Sequence, residues 1–133
     1  DSNEVGILVN LCDWSHIVIY GVENGITIRN VPCAKELMTT APKNSLLFFH
    51  NHPNCSVISE KDLESFLISD SILMISVVCN NGRLYFLTKT EFFEKEQAMI
   101  YYESVFDSLE SGSIKEFLRT CKKVGLSFKY GGE

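Results

Sequence analysis

The sequence predicts an α+β fold, a mixed α/β/α sandwich built on one central sheet. Short runs rich in Val, Ile and Leu read as strands, amphipathic segments read as helices, and the two kinds mix without regular alternation. A tight-turn signal, Asn80-Asn81-Gly82, stands between two adjacent apolar runs and asks for a hairpin there.

Val5 to Leu11 reads as the first strand and Ile17 to Tyr20 as the second, with Cys12-Asp13-Trp14-Ser15 as the turn of a hairpin. Glu23-Asn24-Gly25 is a further turn signal. Ile26 to Val31 then alternates apolar and polar residues, as a half-buried strand does. Ala34 to Thr40 predicts a helix, entered near Pro32 and ended before Pro42. Leu46 to Phe49 is continuously apolar, like a buried central strand. Ser59 to Ser69 predicts an amphipathic helix with Leu63, Phe66 and Leu67 on one stripe. Ile72 to Val78 is a strand, and Arg83 to Thr88 pairs back on it through the Asn-Gly turn. From Glu91 to Glu110 the pattern is helical. Ser111-Gly112 breaks it, Ser113 caps a last helix running to Val124, and Gly125 ends that helix.

Bulk properties narrow the function classes. At 133 residues and 45% hydrophobic, the chain fits one domain spanning 1–133. A domain of this size buries roughly two thirds of the surface its unfolded chain exposes. No run of about 18 apolar residues indicates a membrane span, and no cleavable signal pattern opens the chain. It begins at Asp1 without methionine, which reads as a mature fragment or an excised domain. A net charge of -5 argues against non-specific nucleic-acid binding. The basic cluster of Lys115, Arg119, Lys122, Lys123 and Lys129 reads as a solvated helix face. Five widely spaced cysteines with no C-x-x-C pair argue against a thiolate zinc knuckle. They read as small buried hydrophobes in a reducing, cytoplasmic compartment, with Cys55 alone lying beside the histidines. Aromatics crowd the C-terminal helices (Phe92, Phe93, Tyr101, Tyr102, Phe106, Phe117, Phe128). They read as core packing, or as a face for a homodimer or other partner.

Chemistry concentrates in Phe49-His50-Asn51-His52-Pro53 and Ser59-Glu60-Lys61-Asp62. A strand turns alternate side chains to one face, so His50 and His52 share a side. Pro53 stops the strand, and Asn54 to Ile58 form a loop. Ser59 occupies a helix N-cap, which puts Asp62 in the first turn and returns its carboxylate to the histidines. Two nitrogens and one oxygen leave a tetrahedral zinc with an open fourth position. Zinc held so lowers the pKa of its water to about 7, and hydrolysis follows. The same ligand types also suit iron or manganese. The remaining histidine, His16, follows a turn and reads as structural or exposed.

The pair of motifs resembles the JAMM (MPN+, or JAB) metalloprotease signature: H-x-H-P, a short loop, and S-x-x-D. The resemblance covers about residues 3–90, with 91–133 as C-terminal helices. It implies the cytidine-deaminase-like MPN fold, a curved sheet flanked by helices. It implies that His50, His52 and Asp62 bind one Zn2+ and that Ser59 stabilises the oxyanion. It also implies a glutamate base on an early strand. Glu4, just ahead of Val5 to Val9, matches that position best, and Glu23 is the alternative. The implied reaction is hydrolysis of a peptide or isopeptide bond in a protein substrate, a ubiquitin-like protein among the candidates. Asn51 within His-Asn-His-Pro is similar to the RadC-like and phage- or mobile-element-associated bacterial branch. That branch implies alternatives: a DNA-repair or mobile-element module, or a toxin or effector domain of a larger phage or secreted protein.

Overall fold

A computed structural model of the chain describes residues 4–20, 31–52, 58–108 and 113–131. The first hairpin forms as its alternation dictates. β1 (Val5–Asn10) and β2 (His16–Tyr20) pair antiparallel from Val5↔Tyr20 to Val9↔His16. The turn closes through the Trp14 N–H on the Asn10 carbonyl at 2.7 Å and the Asn10 N–H on the Ser15 carbonyl at 2.8 Å. α1 (Pro32–Thr40) begins with Pro32, whose missing N–H would have no helical partner anyway. β3 (Leu46–His52) runs three residues beyond the apolar stretch. It does so because pairing continues past Phe49 on both flanks, to Gly6↔His50 on one side and to His52↔Cys79 on the other.

α2 (Glu60–Ile68) follows, and then β4 (Ile72–Cys79) and β5 (Leu84–Lys89) form the second hairpin. Gly82 in its turn takes φ 88, which glycine adopts without strain. α3 (Lys95–Ser108) starts four residues later than the periodicity suggested. Thr90 diverts the chain first, accepting the Phe92 N–H on its hydroxyl and the Phe93 N–H on its carbonyl. α4 (Ser113–Thr120) tightens into a 3-10 turn over Cys121–Val124, and Gly125 ends it at φ 81. β6 (Leu126–Gly131) then closes the sheet against β5, where the sequence reading expected no strand.

The strands order as β2-β1-β3-β4-β5-β6. β3 and β4 are parallel, with α2 as their crossover, and every other pair is antiparallel. One cross-strand row, Ile17↔Leu8↔Phe48↔Ile75↔Leu87↔Phe128, lies on the face that meets the helices. Ala34 of α1, Phe66 of α2, Tyr102 of α3 and Phe117 of α4 join that core. The neighbouring row, Val18↔Ile7↔Phe49↔Ser76↔Phe86, lies on the other face. None of its apolar members joins the core, and Ile7 and Val18 are 37% and 40% exposed. The α/β/α sandwich expected from the sequence is therefore two-layered among the described residues.

Two further expectations need correction. Cys79 and Cys121 are buried, but Cys12 and Cys33 are exposed. Of the C-terminal aromatics, Phe92 is 76% exposed while Phe93, Tyr101, Tyr102, Phe106, Phe117 and Phe128 pack in or against the core. Among the described residues, no helix is long and apolar enough to cross a membrane. Glu23, residues 26–30 of the strand expected over Ile26 to Val31, Pro53, Cys55 and the break at Ser111-Gly112 lie outside the described residues, and Val31 itself caps α1.

Candidate metal centre

The site is built at the carboxyl end of the parallel β3–β4 pair, where open sheets place ligands. His50 and His52 alternate with Asn51, so both project to the helical face, and each is only 5% exposed. Phe48 precedes them on that face, and its ring stacks on His50 at 5.0 Å between centroids. Gly6 sits directly opposite His50 on β1. A Cβ there would come within 2.7 Å of the Phe48 ring, so the glycine leaves the room that this stacking needs.

α2 supplies the third side chain. Ser59 caps the helix, its hydroxyl oxygen accepting the Asp62 N–H at 3.1 Å. Asp62 lies in the first turn, where the helix dipole favours a carboxylate. Its Oδ2 is 3.2 Å from His50 Nε2, and His50 Nε2 is 3.1 Å from His52 Nε2. The two imidazoles meet edge to face at 75°. Two ring nitrogens that both aim lone pairs across 3.1 Å repel unless a proton or a cation lies between them. Ligand atoms bound about 2.0–2.1 Å from one tetrahedral ion stand roughly 3.3 Å apart, close to both separations. All three donors lie within 4.8 Å of one another, so His50, His52 and Asp62 could hold a metal ion. A ligating imidazole normally anchors its outer N–H on an acceptor. Nδ1 of His50 is buried with no such partner among the described residues.

Glu4 is not among the convergent donors and stands one residue ahead of β1. The β1–β3 register ends at Gly6↔His50, two residues short of Glu4. Asn51 ties that end down: its Oδ1 accepts the Val5 N–H at 2.6 Å. Glu4 is half-buried, whereas Ser59 is exposed. His16 is exposed at the start of β2, away from the site.

Compared with protein-family models, with curated proteins and with solved structures, the chain matches none.

The site's chemistry is therefore read from its own atoms. Two imidazoles and one carboxylate suit a borderline-soft divalent cation. Three protein donors leave a coordination position for water or substrate, the arrangement of catalytic rather than structural sites. Gly6, Phe48 and Asn51 support the site but drew no attention as its supports in the sequence. The one available signal was a glycine inside an apolar strand, which often marks a close approach.

Proposed function

We propose that this chain is a zinc-dependent hydrolase of peptide or isopeptide bonds, of the JAMM type on an MPN-like sheet. The observation that carries the reading is the meeting of His50 Nε2, His52 Nε2 and Asp62 Oδ2 at the carboxyl end of β3. Glu4, one residue ahead of β1, is the base that the resemblance assigns. Bound zinc would acidify water and polarise a carbonyl.

The chain's own residues supply the rest. His50, His52 and Asp62 hold the ion. Glu4 takes a proton from the attacking water as the new carbon–oxygen bond forms, and passes it to the amine nitrogen as the carbon–nitrogen bond breaks. The Ser59 oxygen is fixed by the Asp62 N–H, which leaves its hydroxyl proton to donate to the developing oxyanion. The substrate is a protein, with the lysine-linked tail of a ubiquitin-like protein as the first class to screen.

Elemental analysis paired with a cleavage screen over ubiquitin-like fusions tests this. We expect about one zinc per chain, removed by a chelator together with activity and restored with it. His52→Ala should lose both. Glu4→Gln should keep the metal yet lose on the order of 100- to 10,000-fold in rate, the usual loss of a general base. Full activity in metal-free protein, or in Glu4→Gln, overturns the proposal.

A further inference from the structure

A groove of about 680 Å³ lies along β6, the last strand of the sheet. It is remote from the histidines. Three strand spacings, roughly 14 Å, separate β6 from β3. The groove is also lined by Leu126 to Lys129, whereas the register connects the histidine end of the sheet to Gly131.

Three features define what it takes. The first is charge. Arg119, Lys122, Lys123 and Lys129 line the groove, and among the described residues no Asp or Glu does. The chain carries only 12 Lys and Arg in all, at a net charge of -5, so this concentration opposes the molecule's overall sign. Glu116 engages Arg119 through two hydrogen bonds, which leaves the three lysines to set the local field. The second is an apolar contribution from Phe92, 76% exposed, and from Leu118. The third is direction. Leu126, Ser127, Phe128 and Lys129 are consecutive, and their side chains alternate between the two faces of the sheet. β6 is the outermost strand of the sheet among the described residues, so a groove lined by four such residues follows its outer edge.

A free edge presents unpaired N–H and C=O groups to an added strand. Lysines beside it repel the identical edge of a second copy and attract carboxylates. We infer that the groove docks an extended acidic peptide segment of a partner protein, which adds to β6 as a further strand. Main-chain hydrogen bonds hold its backbone. Its carboxylates face Lys122, Lys123 and Lys129, and its apolar side chains face the exposed Phe92 ring.

The test uses fluorescence anisotropy with a labelled, end-capped eight-residue peptide of alternating glutamate and valine. Its lysine-for-glutamate counterpart and a single-stranded oligonucleotide serve as competitors. The acidic peptide binds, its affinity falls as salt rises, and the basic counterpart does not compete. The double variant Lys122→Glu, Lys123→Glu weakens binding at least tenfold, and Lys129→Glu alone weakens it severalfold. N-methylation of alternate peptide amides keeps every charge and abolishes binding, because it removes the strand donors. Absence of binding, equal binding by the variants or by the methylated peptide, or tighter binding of the oligonucleotide each overturns the inference. All three substituted lysines are exposed, so circular dichroism should show the variants folded.

Discussion

Lys89 is the only buried lysine or arginine among the described residues. Its ammonium donates to the Ser69 carbonyl at 2.7 Å and sits 4.8 Å and 5.1 Å from the ring centres of Phe66 and Phe93. Burial pushes its pKa down from 10.5 to about 8, with Asp70 opposing and Lys95 and Lys43 adding to the shift. Below pH 8 the amine is charged in both the folded and unfolded chain, and folding carries the full desolvation cost. Between about 8 and 10.5 only the unfolded chain holds the proton, so stability rises with pH through that window. The shift corresponds to at most about 3 kcal/mol, and two rings that favour the cation reduce it by about 0.5–2 kcal/mol. Cys121 and Tyr102, which burial raises to about 11 and about 12, destabilise the fold at high pH. Comparison with Lys89→Met cancels them. Urea unfolding of both proteins should show the wild type gaining about 1–2 kcal/mol on the variant from pH 7.5 to pH 10. A difference independent of pH would mean that the buried amine titrates as it does in the open chain. Residue-scale legibility divides along the same line between local and distant partners. His50, His52 and Asp62 could be grouped in advance because strand alternation and a helix's first turn are local rules. The Gly6–Phe48–His50 stack and the Asn51 tether join residues more than 40 positions apart, and nothing local encodes them.

At the scale of elements, α2 has to hold Asp62 still, and Ser59 does part of that by capping. The cap and the proposed oxyanion contact use different parts of one hydroxyl, so substitutions separate them. Ser59→Ala should cost about 1 kcal/mol of stability, as loss of an N-cap does. Ser59→Asn keeps a capping oxygen and should stay within a few tenths of a kcal/mol of wild type. If the hydroxyl also donates to the oxyanion, both variants lose about 100- to 1,000-fold in rate despite their different stabilities. Thermal melts beside cleavage rates read this out, and activity that tracks stability alone would leave Ser59 only its cap. Most elements were legible because their signals are local: Pro32 opens α1, Ser59 caps α2 and Gly82 turns the second hairpin. β6 was not. Its residues alternate as Leu-Ser-Phe-Lys-Tyr, but its partner β5 ends 37 positions before it begins. Its aromatics also continued a helical run that stops at Val124 only because Gly125 adopts φ 81.

For the whole molecule, the two faces of the sheet carry different physics despite similar composition. Phe48 and Phe49 are adjacent, yet Phe48 is 2% exposed under the helices while Phe49 is only half-buried on the open side. The three-layered sandwich was suggested by the irregular mixing of strand and helix signals along the chain, although apolar residues on both faces of a strand also normally signal layers on both sides. The layering itself depends on where the helices dock, and the strand pattern does not encode that. Burial predicts unequal responses to substitution. Leu8 and Ile7 are neighbours on β1, with Leu8 fully buried and Ile7 37% exposed. Leu8→Ala should cost about 2–5 kcal/mol, because it leaves a cavity that helices packed on the sheet cannot close. Ile7→Thr and Val18→Thr, at cross-strand partners on the open face, should each stay within about 0.5 kcal/mol of wild type. Denaturant unfolding of the three variants measures the contrast directly. The helical face then carries the stability and the candidate metal donors together, so a core substitution under His50 should loosen both. The open face can change without either moving. Comparable losses from Leu8→Ala and Ile7→Thr would instead require a second layer packed over Ile7, Val18 and Phe49.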